Sequence, residues 1–371
     1  DTLFVSDLKL SGLYENAYPN AAAPSTVTVM GAELTVLPSA QADLAAFKVG
    51  DKVTLLLTTT GQVAGAVSPD VAKSNAVGVA EVKGTTATIK LLDGILTLEG
   101  KTTYSEAAAA KLNGCLVTVS SYKRDYLTLS KVNGKGASTA LNLTTNRMGT
   151  KELSAGARFF EQVSNGRLVE IDRSDITITS IPANKITYVG YDWAGRVDKL
   201  VLNDVTGDCY DYGMIYYRAA GYEESKDDGS EGSYQNGEIR VTNGSHTDGV
   251  SYVVGSVDGA KTNRMGGVAG SLDQLDGKNR MAAFMPLNEA TGIRRAQFDT
   301  DAMLLTTNSM VIPISDKVEC YNKTTGDWFK PGEDGDHKAA LNLALAFSDD
   351  ITVYYDRSPE EGGKVRIVVV E

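Results

Sequence analysis

Cysteine is scarce in this 371-residue chain: Cys115, Cys209 and Cys320 lie far apart, with no CxxC pair among them. That spacing excludes a zinc ribbon, a dithiol redox motif and a disulfide framework. The sulfurs read as free, mostly buried thiols, with a single Cys209–Cys320 bridge as the alternative. Few cysteines do not argue against export, because a large exported chain with sufficient core folds without bridges. Histidine is scarcer still. His246 follows Asn243-Gly244-Ser245 and His337 follows Asp334-Gly335-Asp336, so both read as surface turn residues. HExxH, the GxSxG elbow, the P-loop and GxGxxG are all missing. A run of about 18 apolar residues is missing too, so no transmembrane helix is expected. The opening Asp1-Thr2-Leu3 has neither the basic start nor the apolar run of a signal peptide, as a mature or truncated chain would also lack them. Cations are outnumbered, 36 Lys and Arg against 47 Asp and Glu, for a net charge of −11. Nucleic acid is therefore an unsuitable partner, since binding it depends on neutralising phosphates.

What the chain has in quantity is β signal. Val53-Thr54-Leu55-Leu56-Leu57, Val117-Thr118-Val119, Ile186-Thr187-Tyr188-Val189 and Ile351-Thr352-Val353-Tyr354-Tyr355 are β-branched and aromatic, each bounded by turn residues. Helical signal is confined to three short alanine-rich runs, Ala40–Phe47, Ser105–Leu112 and Lys338–Phe347.

The chain also resembles itself. Gly12-Leu13-Tyr14-Glu15, Thr26–Val29, Leu34–Val36, Leu44–Ala46, Gly50, Val53–Leu55 and Gln62–Val67 come in one order. Gly78–Glu81, Thr86–Ile89, Leu96–Leu98, Ala108–Ala110, Gly114, Val117–Val119 and Tyr126–Leu129 repeat it. Five strands with a short helix before the fourth outline a small barrel, OB-like or SH3-like. The closing hairpin recurs at Ile186–Leu202 and Ile351–Val370. The expected fold is all-β, with tandem five-stranded barrel units at 1–70, 71–135 and 136–205 and a larger β-rich domain over 206–371. In that last segment the strand candidates are Tyr212–Arg218, Glu238–Thr242, Val250–Ser256, Gly267–Leu272, Met281–Leu287 and Arg294–Phe298.

No catalytic, cofactor or resident metal residue is expected. The acidic loop Tyr222–Gly237, with Glu223, Glu224, Asp227, Asp228 and Glu231, offers oxygens to calcium but lacks EF-hand spacing. Glu333-Asp334-Gly335-Asp336 is a second candidate of the same kind. Trp193 at a hairpin tip, and Tyr321 and Trp328 in CYNKTTGDWF, are candidate glycan contacts.

Leu341–Glu371, Tyr188–Tyr212 and Lys48–Val67 resemble the C-terminal repeat region of S-layer-homology-domain surface proteins of Gram-positive gut bacteria. That resemblance implies an extracellular, cell-wall-associated segment, structural or adhesive, whose partners are wall polymer, glycan or other surface proteins. The wall-anchoring modules of that family do not occur in this sequence. A carbohydrate-binding module, or a glycan-acting hydrolase with its site in 206–340, is the alternative expectation.

Overall fold

The computed structural model describes residues 5–132, 134, 136–221, 223–225, 231–233, 236–254, 263–275 and 277–371, with backbone alone for 223–225 and 231–233. The protein is nearly all β, and the chain packs as two compact units. One comprises 1–137, 151–157 and 187–200; the other comprises 138–150, 158–186 and 201–371.

In the first unit, β1 (Lys9–Tyr18), β2 (Thr26–Val29), β3 (Ala32–Thr35), β4 (Lys52–Leu57) and β5 (Val63–Val67) pair in the order β3-β2-β1-β4-β5. Helix α1 (Gln41–Leu44) precedes β4. A parallel bridge from Val36 to Val63 brings the two edges together. Period-2 alternation turns Val27, Val29, Leu34, Val53, Leu55 and Val63 inward, as the sequence pattern requires.

The next segment repeats this arrangement. β6 (Ala76–Lys83), β7 (Thr86–Leu91), β8 (Thr97–Thr102), β9 (Leu116–Lys123) and β10 (Tyr126–Lys131) form a closed barrel, with β8 and β10 parallel at its seam. Helix α2 (Glu106–Ala110) precedes its fourth strand and is capped by the Ser105 hydroxyl. In both segments strand one sits between strands two and four, and strand three meets strand five in parallel. That is the OB order. The two barrels share one core, from Leu10 to Leu129.

Residues 141–203 depart from it. β11 (Leu141–Asn142), β12 (Arg147–Met148), β13 (Lys151–Gln162), β14 (Val169–Ile171), β15 (Ser180–Ile181), β16 (Ile186–Tyr191) and β17 (Val197–Asn203) form an open seven-stranded sheet. Its order is β15-β11-β12-β13-β17-β16, with β14 on β13. The recurring hairpin is present as β16–β17, but it lies at a sheet edge and does not close a five-strand barrel.

The second unit returns to the first pattern twice. β18 (Asp211–Arg218) is followed by a small hairpin, β19 (Glu223–Ser225) and β20 (Glu231–Ser233). Then come β21 (Glu238–Thr242), β22 (Val250–Val253), β23 (Arg264–Leu275) and β24 (Lys278–Pro286). β18, β21, β22, β24 and β23 close a third barrel, again with strands three and five parallel, here at Val253 and Arg280.

The last element set is β25 (Asn288–Ile293), β26 (Phe298–Asp299), β27 (Leu304–Thr306), β28 (Val311–Asn322), β29 (Asp327–Phe329), α3 (His337–Phe347), β30 (Ile351–Tyr355) and β31 (Val365–Val370). Its order, β25-β30-β31-β28-β27-β26, is the same topology opened between strands one and two. Helix α3 again precedes the closing hairpin. The expected strand Arg294–Phe298 is instead a 3-10 turn at Arg295–Gln297 leading into β26. The strand that does form, β25, is polar and mostly exposed; among the described residues it pairs with β30 alone, so no apolar alternation marks it.

Candidate functional site

Charged side chains are buried at one place above all in the second unit. β31 reads Val-Arg-Ile-Val-Val-Val and every residue is buried, because it lies between β30 and β28. Arg366 in its middle is 1% exposed, so its charge must be met inside the fold. Nε donates to Asp356 at 2.9 Å and Nη1 to Asp208 at 2.7 Å and Ser315 at 3.2 Å. Nη2 reaches the Thr206 carbonyl and lies 2.8 Å from Asp356. The guanidinium also lies 4.8 Å from the centre of the Tyr212 ring. Gly207 lets this happen: its φ is +78°, and a Cβ there would stand 2.4 Å from the Asp356 carboxylate. Lys364 adds a second cation, 3.3 Å from Asp208 and 3.8 Å from Asp175. Burial alone would raise Asp208, but Arg366 and Lys364 reverse this and hold it below its ordinary value. The carboxylates here are ion-pair partners of fixed cations, an arrangement that suits them to stapling rather than to proton transfer.

Two glutamates have the opposite electrostatics. Glu161, fully buried at the end of β13, accepts from the amides of Val205 and Thr206 and from the Thr206 hydroxyl. Burial raises its pKa in spite of those donors. Glu319 on β28 accepts from the Gly244 amide at 2.8 Å and the Ser245 hydroxyl at 2.9 Å. Burial raises it too, with His337 opposing. His337 is not a surface turn residue: it begins α3, its side chain is 12% exposed, and Nδ1 lies 3.0 Å from the Val318 carbonyl. Its partner in sequence scarcity, His246, is exposed, yet both line one cavity with Glu319, Asp208, Lys317 and Arg366. That cavity holds 110 Å³, well below the roughly 300–1,000 Å³ of small-molecule sites.

A much larger concavity, 760 Å³, lies on the outward face of the third barrel. Strand alternation sends Ile215, Ile239 and Val241 to the core and leaves Tyr216, Arg218, Glu238, Arg240 and Thr242 facing out. Register places Tyr216 opposite Arg240, and Arg240 opposite Ser251. Arg218 stands opposite Glu238, whose two carboxylate oxygens each accept from Lys278 at 2.7 Å.

The chain matches no protein-family profile, no curated protein and no solved structure.

Among the aromatic candidates, Tyr321 and Trp328 come together as a cross-strand pair with ring centres 4.9 Å apart. Both are partly buried against the core around Ile367 and Val369, so they pack rather than project. Trp193 belongs to the other compact unit and is 74% exposed at its hairpin turn, where its amide donates to Asp7 at 3.2 Å. Of the calcium candidates, Asp227 and Asp228 lie outside the described residues, and Glu223, Glu224 and Glu231 belong to the β19–β20 hairpin. Asp336 is committed as the N-cap of α3, accepting from Ala339 at 3.1 Å. Among the described residues no group of three or more acidic, histidine or cysteine side chains is arranged to hold a metal. All three cysteines are free in the structure.

Reading the sequence missed Arg366, Asp208, Asp356, Glu161 and Glu319. One signal was available for the first: an arginine inside an otherwise apolar six-residue strand demands a buried counter-ion. The acids that answer it lie 10 and 158 positions away, which no local pattern reports.

Proposed function

We propose that this chain is a non-catalytic segment of a secreted bacterial cell-surface protein, structural or adhesive in role. The observation that carries this reading is the recurrence of one strand order in four sets along the chain: two closed barrels, one five-stranded sheet bridged at its edges by Val36 and Val63, and one open sheet. Tandem repetition of a small barrel multiplies length and surface without converging groups on a single reactive centre. The deeply buried charges support the same reading, because each is met by partners inside its own fold. The resemblance of Leu341–Glu371 and Tyr188–Tyr212 to S-layer-homology proteins supports the extracellular, wall-associated location. Wall polymer, glycan or neighbouring surface proteins are the partners it implies. No helix among the described residues is long and apolar enough to cross a membrane.

The adhesive half of the proposal draws on the 760 Å³ concavity of the third barrel, which lies within residues 206–340. The test is a screen of the full chain against glycoside, ester and peptide substrates, with Glu319→Gln and Asp208→Asn as controls. No turnover is expected. Turnover abolished by either substitution would overturn the non-catalytic reading and favour a hydrolase.

A further inference from the structure

The outward face of the third barrel has the composition of a sugar-binding platform, and we infer that it binds a neutral, hydroxyl-rich saccharide. This rests on the adhesive half of the reading above and names its ligand class and its residues.

Volume is the first consideration. At 760 Å³ the concavity falls inside the range of about 300–1,000 Å³ typical of ligand sites. Its floor is paired β-strand, β18, β21 and β22, so the side chains it presents are fixed by register rather than by loop conformation. Strands two and three of a barrel in this order are also a surface on which such folds can hold an extended oligosaccharide.

Chemistry decides the class. A pyranose offers two different surfaces: a face of C–H groups, apolar and slightly positive, and a rim of hydroxyls that both donate and accept. The first needs an exposed aromatic ring, and Tyr216 is one, 47% exposed on the barrel surface. The second needs donors and acceptors side by side, and Arg240 and Ser251, opposite one another on adjacent strands, supply them. Cations and carboxylates are nearly balanced here: Arg218, Arg240 and Lys278 face Glu238 and Asp248. A polyanion would gain little from that balance and would approach a chain of net charge −11. A neutral ligand meets no such opposition.

The site is also preorganised. Arg240 donates through Nε to the Asp248 carbonyl at 3.0 Å, and through Nη2 to the same oxygen. This locks the guanidinium over the turn and leaves Nη1, on an exposed side chain, to donate to a ligand. Gly249 makes room for it. Its φ is +77°, and a Cβ there would stand 2.5 Å from Arg240 Nε. Fixing a long side chain before the ligand arrives removes part of the ordering cost of binding.

The experiment is calorimetric titration of the full chain with four neutral hexasaccharides (cellohexaose, maltohexaose, mannohexaose and chitohexaose) and with hexagalacturonate as the anionic arm. At least one neutral probe binds. Tyr216→Ala and Arg240→Ala each weaken it roughly tenfold or more, while Tyr216→Phe keeps the ring and binds as the parent does. Trp193→Ala and Trp328→Ala leave it unchanged. Circular dichroism and melting confirm that each variant is folded. Raising salt from about 0.05 to about 0.5 M changes the affinity less than about twofold, as an uncharged ligand requires. Preference for hexagalacturonate, or a steep salt dependence, overturns the neutral assignment. Neutral binding that survives both alanine variants overturns this face as the site and leaves the adhesive reading standing. No binding of any probe overturns the inference together with the adhesive half, and leaves a structural segment.

Discussion

Glu161 shows how a single buried side chain can tie distant chain segments together. Its carboxylate, at the end of β13, accepts from two backbone amides more than 40 positions along the chain, at Val205 and Thr206. Truncation to alanine removes both acceptors at once, and each stranded amide costs about 1–3 kcal/mol. Glu161→Ala is therefore expected to destabilise the second unit by about 2–6 kcal/mol in denaturant titration. Glutamine keeps an oxygen for the two amides and loses the charge, so Glu161→Gln is the informative variant. Burial raises the folded-state pKa of Glu161, so the folded chain holds this proton more tightly than the unfolded chain does. Its contribution to stability is present below the ordinary carboxylate pKa and is lost as pH rises through the raised value. Melting midpoints of parent and Glu161→Gln between about pH 4 and pH 7 are expected to diverge with rising pH, the glutamine form gaining relative to the parent. A difference that does not change across that range overturns the assignment. Asp208 has the opposite sign: Arg366 and Lys364 lower it, so its contribution appears above the ordinary value and fades as pH falls.

Helix α3 illustrates what an element contributes. Ala340, Leu341, Ala344 and Leu345 are buried at helical spacing, and the Asp336 cap fixes where the helix begins. Leu341 is 0% exposed against β28 and β31, whereas Leu343, two residues on, is 60% exposed. Leu341→Ala is expected to cost about 2–5 kcal/mol, since it leaves a cavity in the core. Leu343→Ala is expected within about 0.5 kcal/mol of the parent, as a surface change. Equal losses for the two in chemical denaturation would mean that the helix docks by another face. The three alanine-rich runs Ala40–Phe47, Ser105–Leu112 and Lys338–Phe347 coincide with observed helices at Gln41–Leu44, Glu106–Ala110 and His337–Phe347, the last beginning one residue before its run. These were legible because helical periodicity is local. β25 was not, because its exposed face and single partner leave Asn288–Ile293 looking like a loop.

On the scale of the molecule, repetition is the organising fact, and it has a folding consequence in the first unit. Its two barrels share one continuous core, and the Leu13 amide donates to the Ser121 hydroxyl at 2.8 Å, across from one barrel to the other. Glu99 likewise donates its amide to the Met30 carbonyl at 3.1 Å. Leu55→Ala, in the first barrel only, is therefore expected to weaken hydrogen-exchange protection over 76–131 as well as over 9–67. Protection in 76–131 that matches the parent would show instead that each barrel is its own cooperative unit.

The all-β class, the helix positions and the barrel repeat of the first two segments follow from sequence alone. Alternation, turn residues and helical spacing act over a few positions and are written where they act. The same barrel order in 211–286 and 288–370 needed the tertiary structure. There, long connections such as 219–237 separate the strands and break the regular spacing that reveals the first two. Longer connections add little to the cost of closing a loop, which grows only with the logarithm of length, so topology survives what erases the pattern. The buried partners of Arg366 and the outward row Tyr216–Arg240–Ser251 belong to the same category. Register and burial decide which side chains meet, and those are settled only when distant strands pair.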